Sequence, residues 1–175
     1  MITHEEALAL IEKLTPEPHM QQHAIASEQV MRALAEHFGE NADLWGLTGL
    51  LHDVDYSTTK DCPEKHGLEA LTILAGKLPD EALYAIAAHN SECTGKEPAS
   101  RLDYSLRAAE TVTGLVKAAA LMRPTGMEGM EPKSLKKKMK DKAFAASVSR
   151  EHIRECEKAG LGLDEFLALS IKAMS

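Results

Sequence analysis

Two of the chain's eight histidines end apolar runs, where packing alone gives an imidazole no reason to be. In GLLHDVDY, residues 49–56, His52 closes a segment carrying Leu44, Trp45, Leu47, Leu50 and Leu51, and Asp53 follows it directly. His89 closes EALYAIAAHN in the same manner. A carboxylate is seldom buried unpaired, so the His-Asp pair either caps a solvated helix end or faces something that takes nitrogen and oxygen ligands together. Further candidates lie on other segments: His23 within QQHAIASEQV, His66 opening EKHGLEAL, and Glu110 interrupting the small apolar residues of LRAAETVTGL. Separate helices that each project one inward ligand are how a helical protein builds a metal centre. Imidazole with carboxylate suits Mn, Fe or Zn first, with Mg, Co or Ni as further candidates. His19 stands one helical turn before His23 and shares its face, which suits a supporting or substrate contact. His4, His37 and His152 sit in polar contexts and read as surface residues.

The elements that must position these residues are helical. Thr3-x-x-Glu6 is a capping box, with Ala7, Leu8, Leu10, Ile11 and Leu14 as the apolar face that follows, stopped by Pro16 and Pro18. A second helix is expected from Met20 to His37, with Ile25, Val30, Met31, Leu34 and Ala35 buried and Gly39 as its stop. A third runs from Asn41 to Leu51 and delivers His52-Asp53. Helical patterns follow at His66–Leu78 and Glu81–Ala88, then a long one at Arg101–Met122 after a polar loop. Three more are expected at Lys133–Ala146, Arg150–Ala159 and Asp164–Met174, with Ser149 and Asp164 as N-caps. No run sustains two-residue alternation. The expectation is an all-α fold, one domain spanning residues 1–175, with a site-bearing core at 20–122 and a helical extension at 131–175.

Bulk properties narrow the class. A chain of 175 residues buries a core without disulfides. Cys62, Cys93 and Cys156 are odd in number and widely spaced, which suits a reducing, cytoplasmic setting. The N-terminus is amphipathic with Glu5, Glu6 and Glu12, unlike a secretory leader, and no stretch approaches the apolar length of a membrane span. A net charge of −7 argues against general nucleic-acid affinity. The exception is KSLKKKMKDK, whose six lysines between Lys133 and Lys142 form either a solvated face around Leu135 and Met139 or an electropositive rim for an anionic substrate or an RNA backbone. The oligomeric state is left open.

The order His in a helix, His-Asp about thirty residues on, further histidines and then an acid in a later helix resembles the HD superfamily of metal-dependent phosphohydrolases. GLLHDVDY resembles its HDIG-type core. LRAAETVTGLVKAAALMRP and KSLKKKMKDKAFAASVSREHI resemble segments of small stand-alone bacterial members described only as predicted hydrolases. The resemblance implies an HD-domain helical bundle in which His23, His52 and Asp53 are the first three ligands, with Glu110 where the family usually has an Asp. It further implies that His66 and His89 are the added histidines of members holding two metals, with Asp53 bridging. Asn90 stands where some relatives carry another histidine. The Glu-Asp pair of the alarmone-hydrolase branch and the GYP signature of the cyclic-dinucleotide branch are missing.

The implied chemistry is hydrolysis of a nucleotide or other small phosphate ester by metal-activated water. Asp55, two residues past the pair, is expected to orient that water or a ligand imidazole. Arg107, one turn before Glu110, is the first candidate for a phosphate-binding cation, followed by Lys60 and Lys65. Two other functions fit the same residues: a di-iron oxygenase of the HD type, and a non-catalytic nucleotide-binding module whose metal site Glu110 weakens.

Overall fold

Thr3 accepts a hydrogen bond from the Glu6 amide and the Glu6 carboxylate takes the Thr3 amide, so the expected capping box forms and starts α1, His4–Leu14. The computed structural model describes residues 1–175. After α1 come α2 (Pro18–Phe38), α3 (Ala42–Leu51), α4 (Tyr56–Thr59), α5 (Leu68–Leu74), α6 (Asp80–His89), α7 (Ser91–Thr94), α8 (Arg101–Leu121), α9 (Pro132–Lys140), α10 (Arg150–Arg154), α11 (Cys156–Ala159) and α12 (Leu163–Met174). There is no strand, and no helix is long and apolar enough to cross a membrane.

α8 is the central element. A second capping box, Ser100 with Asp103, opens it, and it packs against α2, α3, α6 and α9 through α12. One apolar cluster runs from Ala7 in α1 to Ile171 in α12 through Leu106, Val112, Leu115 and Val116 of α8. Each fully buried Leu or Val contributes about 1.5–3 kcal/mol through removal from water, and this shared core fixes the helices that carry the candidate ligands. α2 and α3 pack most closely. A Cβ on Gly49 would lie 2.8 Å from the Ser27 carbonyl oxygen and 2.9 Å from Met31 Cγ, so only glycine permits this approach.

Several expected boundaries move, each for a local reason. Pro18 opens α2 rather than ending α1, because at the first helical position its missing N–H is no loss. Ile25 is 43% exposed, outside the buried stripe of α2. His66 precedes its helix: Gly67 takes φ +87°, and α5 begins only at Leu68. Gly162, not Asp164, is the N-cap of α12. The helix expected to run to Ala146 stops at Lys140. There the Arg150 guanidinium gathers the carbonyls of Asp141, Phe144, Ala145 and Val148, which in a helix would accept from backbone amides. Ala145 adopts φ +45° within this loop.

Candidate metal centre

Four imidazoles and one carboxylate converge where α2, α3, α6 and the segment before α5 meet. α3 ends on His52, which caps it and is completely buried. The next residue, Asp53, sits at the focus. Its Oδ2 lies 3.4 Å from His52 Nε2 and 3.6 Å from His23 Nε2, and its Oδ1 lies 3.1 Å from His66 Nε2 and 3.4 Å from His89 Nε2. The arrangement forms two groups sharing Asp53: His23 with His52, and His66 with His89. The carboxylate side chain is 13% exposed, so the centre opens narrowly to solvent.

Which ring nitrogen carries a proton follows from what each Nδ1 touches. His52 Nδ1 donates to the Gly49 carbonyl at 2.7 Å and His89 Nδ1 to the Ile86 carbonyl at 2.5 Å. His66 Nδ1 donates to Asp55 Oδ1 at 2.9 Å. His23 Nδ1 meets Thr113 Oγ1 at 3.0 Å, and because that hydroxyl already donates to the Glu110 carbonyl at 2.7 Å, it accepts from the ring. In their neutral forms all four rings therefore present an Nε2 lone pair toward the interior. They face one another in pairs, His23 to His52 at 3.2 Å and His66 to His89 at 3.1 Å. Two lone pairs cannot satisfy each other, so each pair calls for a proton or a metal ion between its nitrogens. A divalent metal fits this donor set of imidazoles and carboxylate, with the far side of each ring anchored as metal-bound histidines require.

The field of the site has the same sense. Burial opposes charge on His66, yet hydrogen bonds to Asp53 and Asp55 lift it to about 10, so the site favours positive charge at its Nε2, held by a proton where a metal does not take its place. His23 is pushed down to about 4, by burial first and then by His52. Burial opposes ionisation of Asp53, but the surrounding imidazoles hold its carboxyl well below the usual range.

A family model for the HD domain matches residues 20–143, a span containing every one of these side chains. The chain belongs to the HD domain family. No curated protein and no solved structure matches it.

Within this HD domain the remaining candidates separate. Asp55 is fully buried and touches no Nε2. Its Oδ1 holds His66 and its Oδ2 accepts the Gly67 and Ala70 amides at 2.8 and 2.9 Å. It therefore stands behind the His66 ring, on the side away from Nε2. Glu110 joins neither group. Its carboxylate accepts from Thr111 Oγ1 at 2.5 Å, and burial, with Asp53 and against the charges of His52 and His89, pushes its carboxyl above the ordinary value.

Arg107 lies apart from the cluster. Its side chain is 4% exposed and committed elsewhere, with Nε 2.8 Å from Glu155 and Nη2 2.9 Å from Glu92, while Nη1 donates to Ser91 and to the Ala88 carbonyl. Two carboxylates already pair with it. Lys60 is drawn to Glu17 at 3.6 Å, and Lys65 is exposed. His19 is exposed. In α9, Leu135 and Met139 are buried while Lys136 pairs with Asp164 at 2.8 Å and Lys138 covers the Phe144 ring, so much of the lysine run is a solvated, locally paired face. Two residues went unremarked in the sequence, Thr113 and Lys117. Both lie on the α8 stripe defined by Glu110, at i+3 and i+7, and that spacing was the available signal.

Proposed function

We propose that the protein is a metal-dependent phosphohydrolase acting on a small phosphate monoester or a nucleotide. The observation that carries the reading is the pair of facing Nε2 atoms on each side of Asp53, with every Nδ1 tied to an acceptor. HD domains are typically hydrolases of this type, and the donor set supports one or two Mn, Fe or Zn ions. His23, His52, Asp53, His66 and His89 would hold them, with Asp53 shared. Glu110 would serve only by turning its carboxylate away from Thr111. When bound, the metal activates water at neutral pH and offsets charge on phosphoryl oxygens.

The chain's own groups prepare the site. Thr113 fixes the tautomer of His23, Asp55 that of His66, and the backbone carbonyls of Gly49 and Ile86 those of His52 and His89. In the reaction, water oxygen bonds to phosphorus, the phosphorus–oxygen ester bond breaks, and the departing oxygen leaves as the alcohol once protonated. The test is elemental analysis of protein purified without added metal, alongside His52→Ala and His66→Ala, followed by a phosphate-ester screen. About two ions per chain, lost in both variants, together with turnover of a phosphate ester, is the expected result. No metal after reconstitution would overturn the reading. Iron with oxygen consumption and no ester turnover would favour the oxygenase instead.

A further inference from the structure

A cavity of about 240 Å³ opens against His23, between the faces of α2 and α8 and under Met127 and Met174. It adjoins the candidate centre through one shared residue, because His23 is both its wall and a corner of the His23–His52 pair. Its chemistry is lopsided. Lys117 is the single lysine or arginine lining it, no carboxylate lines it, and the rest is largely methionine, alanine and glycine. Lys117 sits two turns beyond Glu110 on α8, and its Nζ donates to Gln22 Oε1 at 3.3 Å, which seats the ammonium between the two helices. At interior packing density the volume holds roughly ten non-hydrogen atoms, the size of one ring system. Methionine walls suit a flat ring, since the thioether is adaptable and attractive to aromatic edges. One cation matches one phosphoryl group. A di- or triphosphate would bring further negative charge into a chain of net charge −7 with no second cation lining the cavity.

We propose that this cavity is a substrate subsite that receives the neutral, apolar single-ring half of a phosphate monoester, while Lys117 pairs with its phosphoryl group at the His23 corner. The inference rests on the phosphohydrolase reading and narrows its substrate class to a monophosphate with a compact ring. Lys117 takes the part that Arg107, held by Glu92 and Glu155, cannot.

The test is calorimetric titration of metal-saturated protein with inorganic phosphate, phenyl phosphate and adenosine 5′-triphosphate. Phenyl phosphate should bind about tenfold or more tighter than phosphate, from burial of its ring, and the triphosphate no tighter than phosphate. Ala120→Leu fills the cavity and should erase the advantage of phenyl phosphate while changing phosphate affinity less than about twofold. Met127→Ser removes one wall and should lower the same ratio, so the proposal stays testable if the first variant does not fold. Lys117→Gln should weaken phosphate and phenyl phosphate alike by about tenfold, the loss of one charge-assisted hydrogen bond. Equal affinities for phosphate and phenyl phosphate, or a cavity-filling variant that weakens both equally, would overturn the subsite. Phenyl phosphate bound as expected but never hydrolysed would leave the subsite standing and remove the hydrolase reading. Hydrolysis with no preference for the ring would do the reverse.

Discussion

Both oxygens of Asp55 are spent on His66: one takes the ring Nδ1–H, and the other ties the Gly67 and Ala70 amides that begin α5. Asparagine offers a single acceptor oxygen, so Asp55→Asn must turn its NH₂ either to the ring or to two backbone donors. Unfolding in urea should show a loss of about 1–3 kcal/mol, the cost of buried donors left unsatisfied. Metal affinity measured by competition with a chelator should fall about 10–100-fold, as for other outer partners of ligand histidines. Unchanged affinity would mean that His66 is not a ligand. The sequence made much of this centre legible at the scale of single residues. His52 and His89 stood out because an imidazole ending an apolar run has no packing purpose, and the Asp53–Asp55 spacing marked the second acid. The partners of Arg107 are not legible in the same way, because one helical turn from Glu110 suggests a shared face. The carboxylates that claim it, Glu92 and Glu155, are distant in sequence, and no spacing rule reaches them.

Among elements, the α2–α3 contact sets the distance between His23 and His52, and at Gly49 an added Cβ would meet the α2 backbone itself. The Ser27 carbonyl that a methyl group would strike belongs to the α2 backbone, which cannot swing aside as a side chain does. Gly49→Ala should therefore separate the helices, lower stability by about 1–3 kcal/mol and widen the His23–His52 pair. Thermal unfolding and metal content check it, and a stable variant with full metal content would show that the helices tolerate the shift. The Asp141–Val148 loop depends on a different device, the Arg150 guanidinium gathering its carbonyls. Arg150→Met leaves them without that donor, so limited trypsin digestion should cut faster after Lys140 and Lys142, both exposed. Helices with apolar periodicity and caps, such as α1, α3 and α8, were readable to within a residue or two. The α9 boundary was not, because a lysine-rich run propagates a helical pattern while a side chain ten residues on decides where it ends.

Over the whole molecule, the question is whether the C-terminal helices are one cooperative unit with the helices around the metal centre. The Arg107 cluster argues that they are. Arg107 on α8 bonds the Ala88 carbonyl beside His89, Ser91 and Glu92 on α7, His152 on α10 and Glu155 beyond it, joining the end of α6, which carries His89, to the C-terminal segment. Glu155 is buried, and Arg107→Met leaves its charge only the longer contact with Lys158 at 3.8 Å, so the change should cost about 3 kcal/mol. Arg107→Met with Glu155→Leu removes both charges and should recover much of that loss, giving a positive coupling in a double-mutant cycle. Glu92 reports on the same cluster. Burial opposes its charge, but its own backbone amide, His152 and Arg107 hold it down at about 2. Its contribution to stability is thus present above its ordinary value of 4.5 and lost as pH falls toward 2. At 57% exposure solvent screens that contribution to a small one, so the useful measurement is its titration by carbon-detected NMR. In Arg107→Met the Glu92 midpoint should move partway back toward 4.5, His152 and the backbone still holding it. Unfolding of every variant followed at Trp45, in the α3 part of the core, should coincide with far-UV dichroism from all helices. Two separate transitions would mean that the C-terminal helices fold apart from the metal centre and that Arg107 joins independent units.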